Sequence, residues 1–211
     1  MSLTPNHDVI AAHLDHLIGH LKPKEDAQVE IAWCKPPFTQ NGKLAAPVNQ
    51  AKLFWLNERD EMADFAVQTN RTRGQNVYVG PSLRNKDANP NHRAKTDPDY
   101  LASPSIFADC DEPGVLERAE KLCREWGVPP TARGITGRHP HVRGQLWWRL
   151  DELLRDPATH KELTGKMARV LGSDLAVSDP CRVMRLCGTV AWPVKAGRVE
   201  EMTEFTLLAA A

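Results

Sequence analysis

What this sequence lacks does the first sorting. It has no apolar run approaching the ~18 residues that a membrane span requires, and its opening residues, Met1 to Asp8, are polar and unlike a signal peptide. Its five cysteines (34, 110, 123, 181 and 187) include no Cys-x-x-Cys pair. An odd, dispersed set fits buried thiols in a reducing cytosol better than a disulfide frame, and no zinc site is expected. There is no internal repeat and no low-complexity tract beyond the closing alanines. There is no net charge either: 27 Lys and Arg balance 27 Asp and Glu, which excludes a polybasic DNA or membrane binder. With 211 residues, 41% of them apolar, the chain has material for one large domain or two small lobes on a shared core. The expectation is a cytoplasmic protein with no membrane partner.

The charge is segregated. From Trp126 to Leu150 there are Arg133, Arg138, Arg143, Arg149, His139 and His141 and no acid. From Pro180 to Arg198 there are Arg182, Arg185, Lys195 and Arg198, again without an acid. From Arg71 to Lys95 six basic residues face only Asp87, whereas acids gather between Asp97 and Glu125. Basic stretches from separate segments can converge on one phosphate-binding cleft.

Periodicity predicts helices over 7–21, 58–69, from Pro113 to the stop at Gly127, and from Asp156-Pro157 to Gly172. It predicts strands at 29–33, 76–80, 105–109, 131–136, 145–150, 182–186 and 204–208, with an exposed loop over 85–100. This mixed order predicts an α+β fold rather than a regular parallel sheet.

Three constellations carry chemistry. Asp109-Cys110-Asp111 ends an apolar strand, so the two carboxylates project to one face and Cys110 turns into the packing. Paired carboxylates repel unless a cation neutralises them, and their hard oxygens suit Mg²⁺ or Mn²⁺; the alternative is a solvated strand end. If the loop after Thr136 is extended, His139, His141, Arg143 and Gln145 share one face and can hold a triphosphate; the alternative is a solvated hairpin turn. Asp174 and Asp179 precede Arg182 and Arg185. A third carboxylate reaching Asp109 and Asp111 would complete a two-metal cluster, and the arginines would neutralise phosphates or simply pair with these acids.

In their order, these pieces resemble the archaeo-eukaryotic primase superfamily, in particular the primase-polymerases of plasmids, phages and other mobile elements. The resemblance rests on Ile106 to Asp111, His139-Pro140-His141, Asp174-x-x-Val177 and Arg182 to Thr189, with Asn76-Val77-Tyr78 and Arg84 upstream, and spans roughly residues 28–208. It implies an N-terminal α/β lobe and an RRM-like lobe around a central cleft, within a catalytic domain over 26–211 that follows an N-terminal helical segment over 1–25. It implies a template-dependent nucleotidyltransferase, a DNA primase, a DNA polymerase or both. Asp109, Asp111 and Asp174 would ligate two Mg²⁺ or Mn²⁺ ions. His141, Arg143 and Arg182, with Arg84, His139 and Arg185, would bind the nucleotide. Its partners would be single-stranded DNA template and nucleoside triphosphates. Asp174 is preferred to Asp179 because it keeps the usual spacing to the arginines. The chain departs from the pattern where His139 replaces a serine, where Cys187 stands in place of proline, and in lacking cysteines for a zinc insertion. It has no Walker A sequence, so a helicase would lie on another chain or on a C-terminal part not included here. Two other readings are a rolling-circle replication endonuclease, which needs a His pair and a tyrosine nucleophile, and a non-catalytic nucleic-acid-binding accessory domain.

Overall fold

The computed structural model describes residues 3–22, 26–40, 43–89 and 96–208, with backbone alone for 39, 40, 43, 44, 96 and 97. Helix α1 (His7–Ile18) leads to β1 (Ala27–Cys34), a small hairpin of β2 (Phe38–Gln40) and β3 (Lys43–Ala45), and β4 (Val48–Trp55). Then come α2 (Arg59–Asn70), β5 (Val77–Val79), β6 (Leu83–Asn85), the single turn α3 (Thr96–Asp99) and β7 (Tyr100–Cys110). Helix α4 (Val115–Glu125), β8 (Ala132–Gly137), β9 (Arg143–Leu154) and α5 (Pro157–Leu171) follow. The chain closes with a 3₁₀ turn (Leu175–Ser178), β10 (Met184–Arg185), β11 (Val190–Ala191), β12 (Glu201–Met202) and β13 (Glu204–Leu207).

One sheet runs in the order β10-β5-β1-β6-β7-β9-β8-β13, with β4 also paired to β1, and its pairings are antiparallel. The fold is α+β, as the mixed order of elements predicts. Strand β7 is its hinge between halves. It pairs with β6 on one side and β9 on the other, and both its faces are covered. Phe107 joins Trp147, Ile10, Leu14 and Val77 in one core. Ala108 and Cys110 join Leu146, Leu116, Ala119 and Cys123 in a second core beneath α4. Alternation along the strand therefore puts Asp109 on the Phe107 face and sends Cys110 into packing. Helix α1 belongs to the first core, so part of the segment 1–25 is built into the same body as the strands.

Helix α5 begins where the sequence indicates. Asp156 accepts from the Ala158 and Thr159 N–H groups at 3.3 and 3.0 Å, Pro157 fills the first helical position, and Gly172 ends the helix at φ +68°. Helix α4 starts at Val115, later than Pro113, because Gly114 at φ +72° intervenes. Three differences have local causes. The predicted strand 105–109 extends back to Tyr100, since the register shift between Ser103 and Ser105 lets the chain pass Pro104 without losing its pairing with β9. The expected loop 85–100 contains the end of β6 and α3, and its residues 90–95 lie outside the described residues. Strand β4 was not anticipated, because only Ala51 and Phe54 of it are buried and it gives no clean alternation. All five cysteines are buried and none forms a disulfide. Among the described residues no helix is long and apolar enough to cross a membrane.

Candidate active site

The site forms where β7 ends. Asp109 is level with Gln145 of β9 on the Phe107 face, and Asp111 lies just past the strand. Asp174 reaches them through the main chain, because its N–H donates to the Asp109 carbonyl at 2.9 Å. The first and third acids, 65 positions apart, are thus joined by a backbone bond. Asp174 also caps the 3₁₀ turn, accepting from the Ala176 N–H at 2.9 Å, with Arg182 Nη2 at 3.9 Å from its other oxygen. Asp179 instead accepts from the Cys181 N–H at 2.9 Å and shapes the turn before β10.

Crowding of these acids has an electrostatic signature. Burial first, and then the Asp111 and Asp174 charges, push the Asp109 carboxyl up to about 7, against the opposing pull of Arg182 and Arg185. A cluster that holds a proton near neutrality is one that a hard divalent cation would stabilise, so the donor chemistry fits Mg²⁺ or Mn²⁺. The side chains do not yet converge. Among the described residues no three His, Cys, Asp or Glu side chains are gathered closely enough to hold an ion. Two cations sit on Asp111 instead: Arg198 Nη2 at 3.0 Å and Lys195 Nζ at 3.8 Å from Oδ2. Both come from the connection between β11 and β12, and the sequence marks them only as members of a basic stretch.

The basic residues divide into those beside the carboxylates and those committed elsewhere. Arg182 is 40% exposed and can swing toward a ligand beside Asp174. His141 is partly buried, with Nε2 at 2.6 Å from the Asp111 carbonyl oxygen, and so stands directly beside the carboxylates. Arg185 lies over the Tyr78 ring at 4.7 Å and donates to Asn76 Oδ1. Its backbone meets the Gln145 amide, which in the orientation that satisfies both partners accepts from the Arg185 N–H at 2.9 Å and donates to its carbonyl at 3.2 Å. A side chain thereby stands in for a strand and ties β10 to β9.

Three expectations need correction. Arg84 does not face the cleft: its side chain is fully buried and donates to Glu30 at 2.8 and 3.1 Å and to the Ser82 carbonyl at 3.1 Å. An arginine on a strand rich in apolar neighbours has to bury its charge against a carboxylate, and Glu30 on β1 supplies one. His139 is not on a shared face with His141, Arg143 and Gln145, because the chain from 138 to 142 is a turn rather than a strand. The His139 ring pairs with Glu201. Arg143 is 3% exposed and points back under the turn, donating to the carbonyls of His139 and His141. Of the third basic stretch, Arg93 and Lys95 lie outside the described residues.

Glu201 is the site-proximal residue that the motifs miss. Its one sequence signal is position: Glu200-Glu201 are the first acids after the acid-free run 180–198.

A similar arrangement of elements occurs in solved structures. The AEP domain of the Cyanophage S-2L primase-polymerase superposes with a TM-score of 0.62 at 19% identity, over 99% of this chain and 94% of that one. The fold is that of the archaeo-eukaryotic primase-polymerases. Primase RepB′ gives a TM-score of 0.61 at 13% identity, with 97% of this chain matching 57% of that longer one. The catalytic domain of primase RepB′, solved in complex with initiator DNA, gives 0.57 at 13% over 95% of this chain and 83% of that one. No protein-family model and no curated protein matches the chain.

Proposed function

We propose that this chain is a template-dependent nucleotidyltransferase, a DNA primase, a DNA polymerase or both, serving replication of a plasmid, phage or other mobile element. The observation that carries this is the Asp174 N–H bond to the Asp109 carbonyl, which brings a third acid to Asp109 and Asp111 at the end of one strand. Asp109, Asp111 and Asp174 would hold two Mg²⁺ or Mn²⁺ ions. When bound, such ions supply charge to activate a 3′-hydroxyl and to stabilise the departing pyrophosphate. Arg182, exposed beside Asp174, would meet the phosphates of the incoming nucleoside triphosphate through charge-assisted bonds. His141 donates Nε2–H to the Asp111 carbonyl, which would stand its ring beside the same phosphates. Arg84, His139 and Arg143 would not touch the nucleotide. The RepB′ catalytic domain was solved with initiator DNA, and a single-stranded DNA template is the matching partner proposed for this chain.

The side chains give the rolling-circle nuclease little support. The chain has two tyrosines. Tyr100 donates to the Leu154 carbonyl at 2.5 Å, and the Tyr78 ring is covered by Arg185. His139 and His141 turn to different partners, Glu201 and the Asp111 carbonyl.

The test is incorporation of labelled nucleotides on primed and unprimed single-stranded DNA with Mg²⁺ or Mn²⁺. Incorporation is expected from the wild type and absent from Asp109→Ala and Asp174→Ala, with template binding kept. A wild type that binds template but never extends it would leave a binding module. Cleavage of template with a tyrosine adduct would establish the nuclease.

A further inference from the structure

Glu201 has a place and a set of bonds that no solubility or packing role requires. Its side chain is 11% exposed. The carboxylate accepts from two successive backbone N–H groups, those of Arg138 and of His139, the second at 2.8 Å, and from the His139 ring. Anionic acceptors on adjacent N–H groups make strong, directional contacts. Burial acts to raise the Glu201 carboxyl, but these N–H groups outweigh it and hold it below its ordinary value. Arg143 closes the turn from beneath. It donates to the carbonyls of His139 and His141, the latter at 3.3 Å, and its Nη2 lies 3.8 Å from Glu201. The turn thus has its N–H groups held by one buried carboxylate and its carbonyls by one buried guanidinium. The Arg143–Glu201 pair crosses above Gly137, where a β-carbon would stand 2.6 Å from Glu201 Oε2. The residue presented at the far end of this clamped turn is His141, bonded to the Asp111 carbonyl.

We infer that Glu201 is a positioning residue: with Arg143 it fixes the 138–142 turn so that His141 stands beside the carboxylates in a single orientation before any nucleotide arrives. The inference rests on the nucleotidyltransferase reading for its consequence, binding of the triphosphate, though not for the geometry. A held imidazole binds without an ordering cost at the moment of binding; released, it would lose that advantage.

The experiment compares wild type with Glu201→Gln and Glu201→Ala. Long-range ¹H–¹⁵N spectra of the histidine rings, with His141 assigned by a His141→Gln variant, read the turn directly, without metal, template or nucleotide. Steady-state single-nucleotide incorporation reads its consequence. The expected result is a displaced or broadened His141 signal in both variants, with KM for the nucleotide raised roughly tenfold to a hundredfold. The change in kcat should be smaller and template affinity unaltered. If Glu201→Ala fails to fold, Glu201→Gln, which keeps one acceptor oxygen, carries both readouts. An unchanged His141 signal overturns the inference, as does an unchanged KM in an active enzyme. A moved His141 signal in a protein that incorporates no nucleotide would uphold the positioning role and sink the nucleotidyltransferase reading instead.

Discussion

Asp109 is the residue where packing and chemistry conflict most openly. Its carboxyl, raised to about 7 from an ordinary 3.8, binds its proton more tightly in the folded chain than in the unfolded one. Folding stability therefore falls as pH rises from about 4 through 7, because ionising Asp109 in the fold costs more than in water. Asp109→Asn removes that cost. In chelator at pH 8 the variant should melt several degrees above the wild type, and the gap should narrow steadily as pH falls toward 4. Equal midpoints at pH 8 would mean that neither burial nor the neighbouring acids penalise the ionised Asp109. That Asp109 and Asp111 stand at the end of a buried strand was legible in the sequence, because an apolar run closing on alternate acids is a local pattern. Arg84 was misread for a physical reason. Sequence shows a basic residue after a strand, but only the fold shows that Glu30, 54 positions earlier, lies against it.

Among the elements, the connection between β11 and β12 matters most for the site. It lays Arg198 and Lys195 on Asp111, where they compensate a charge that a divalent ion would otherwise take. On the proposed two-metal reading, replacing Arg198 by Met removes a competing cation. Mn²⁺ should then bind several-fold more tightly by calorimetry in the absence of nucleotide, and weaker binding would show instead that Arg198 orients Asp111 for the proposed ion. Helix signals were read well here, since Asp156, Pro157 and Gly172 act within one turn of themselves. The two-residue strands β11 and β12 carry too few residues to show any period, whereas β10 falls within the strand expected at 182–186. For 138–142 the sequence left an extended loop and a hairpin turn both open, because alternating polar residues look the same in a strand and in a clamped turn. Its restraints, Glu201 and Arg143, act from outside the segment.

At the scale of the whole molecule, the antiparallel sheet is sealed by buried histidines that must stay neutral. His13 accepts from the Cys187 N–H at 3.1 Å while stacked on Phe205, and burial lowers it to about 3. His160 is fully buried near Tyr100 and Phe107, and burial lowers it to about 4. Both rings are neutral in the fold but take up protons in the unfolded chain below 6.5. The histidines' contribution should hold above pH 6.5 and decline as pH falls below it, by about 2 kcal/mol per histidine at pH 5, against the opposite trend of Asp109. Urea melts at pH 7 and 5 in the Asp109→Asn background would show the loss, and adding His160→Phe should recover its share; a midpoint that does not move between the two pH values in that background would refute the assignment. Fold class was readable at this scale from the mixed order of helices and strands, whereas the order of strands was not. Pairs such as β10 with β5 and β6 with β7 are set by which faces must be covered, not by any residue in the strands themselves.

Helix α1 shows what such closure means for a chain made from one end. Its Asn6 N–H donates to the Gly188 carbonyl at 2.8 Å, and Ile10 presses so closely that a β-carbon at Gly188 would lie 2.7 Å from the Ile10 nitrogen. The seat for α1 is therefore made by residues synthesised some 180 positions later. On the ribosome α1 would leave the exit tunnel long before that seat exists, and Glu201 and Arg198 would emerge later still. The candidate site would stay incomplete on the nascent chain until residue 201 had emerged.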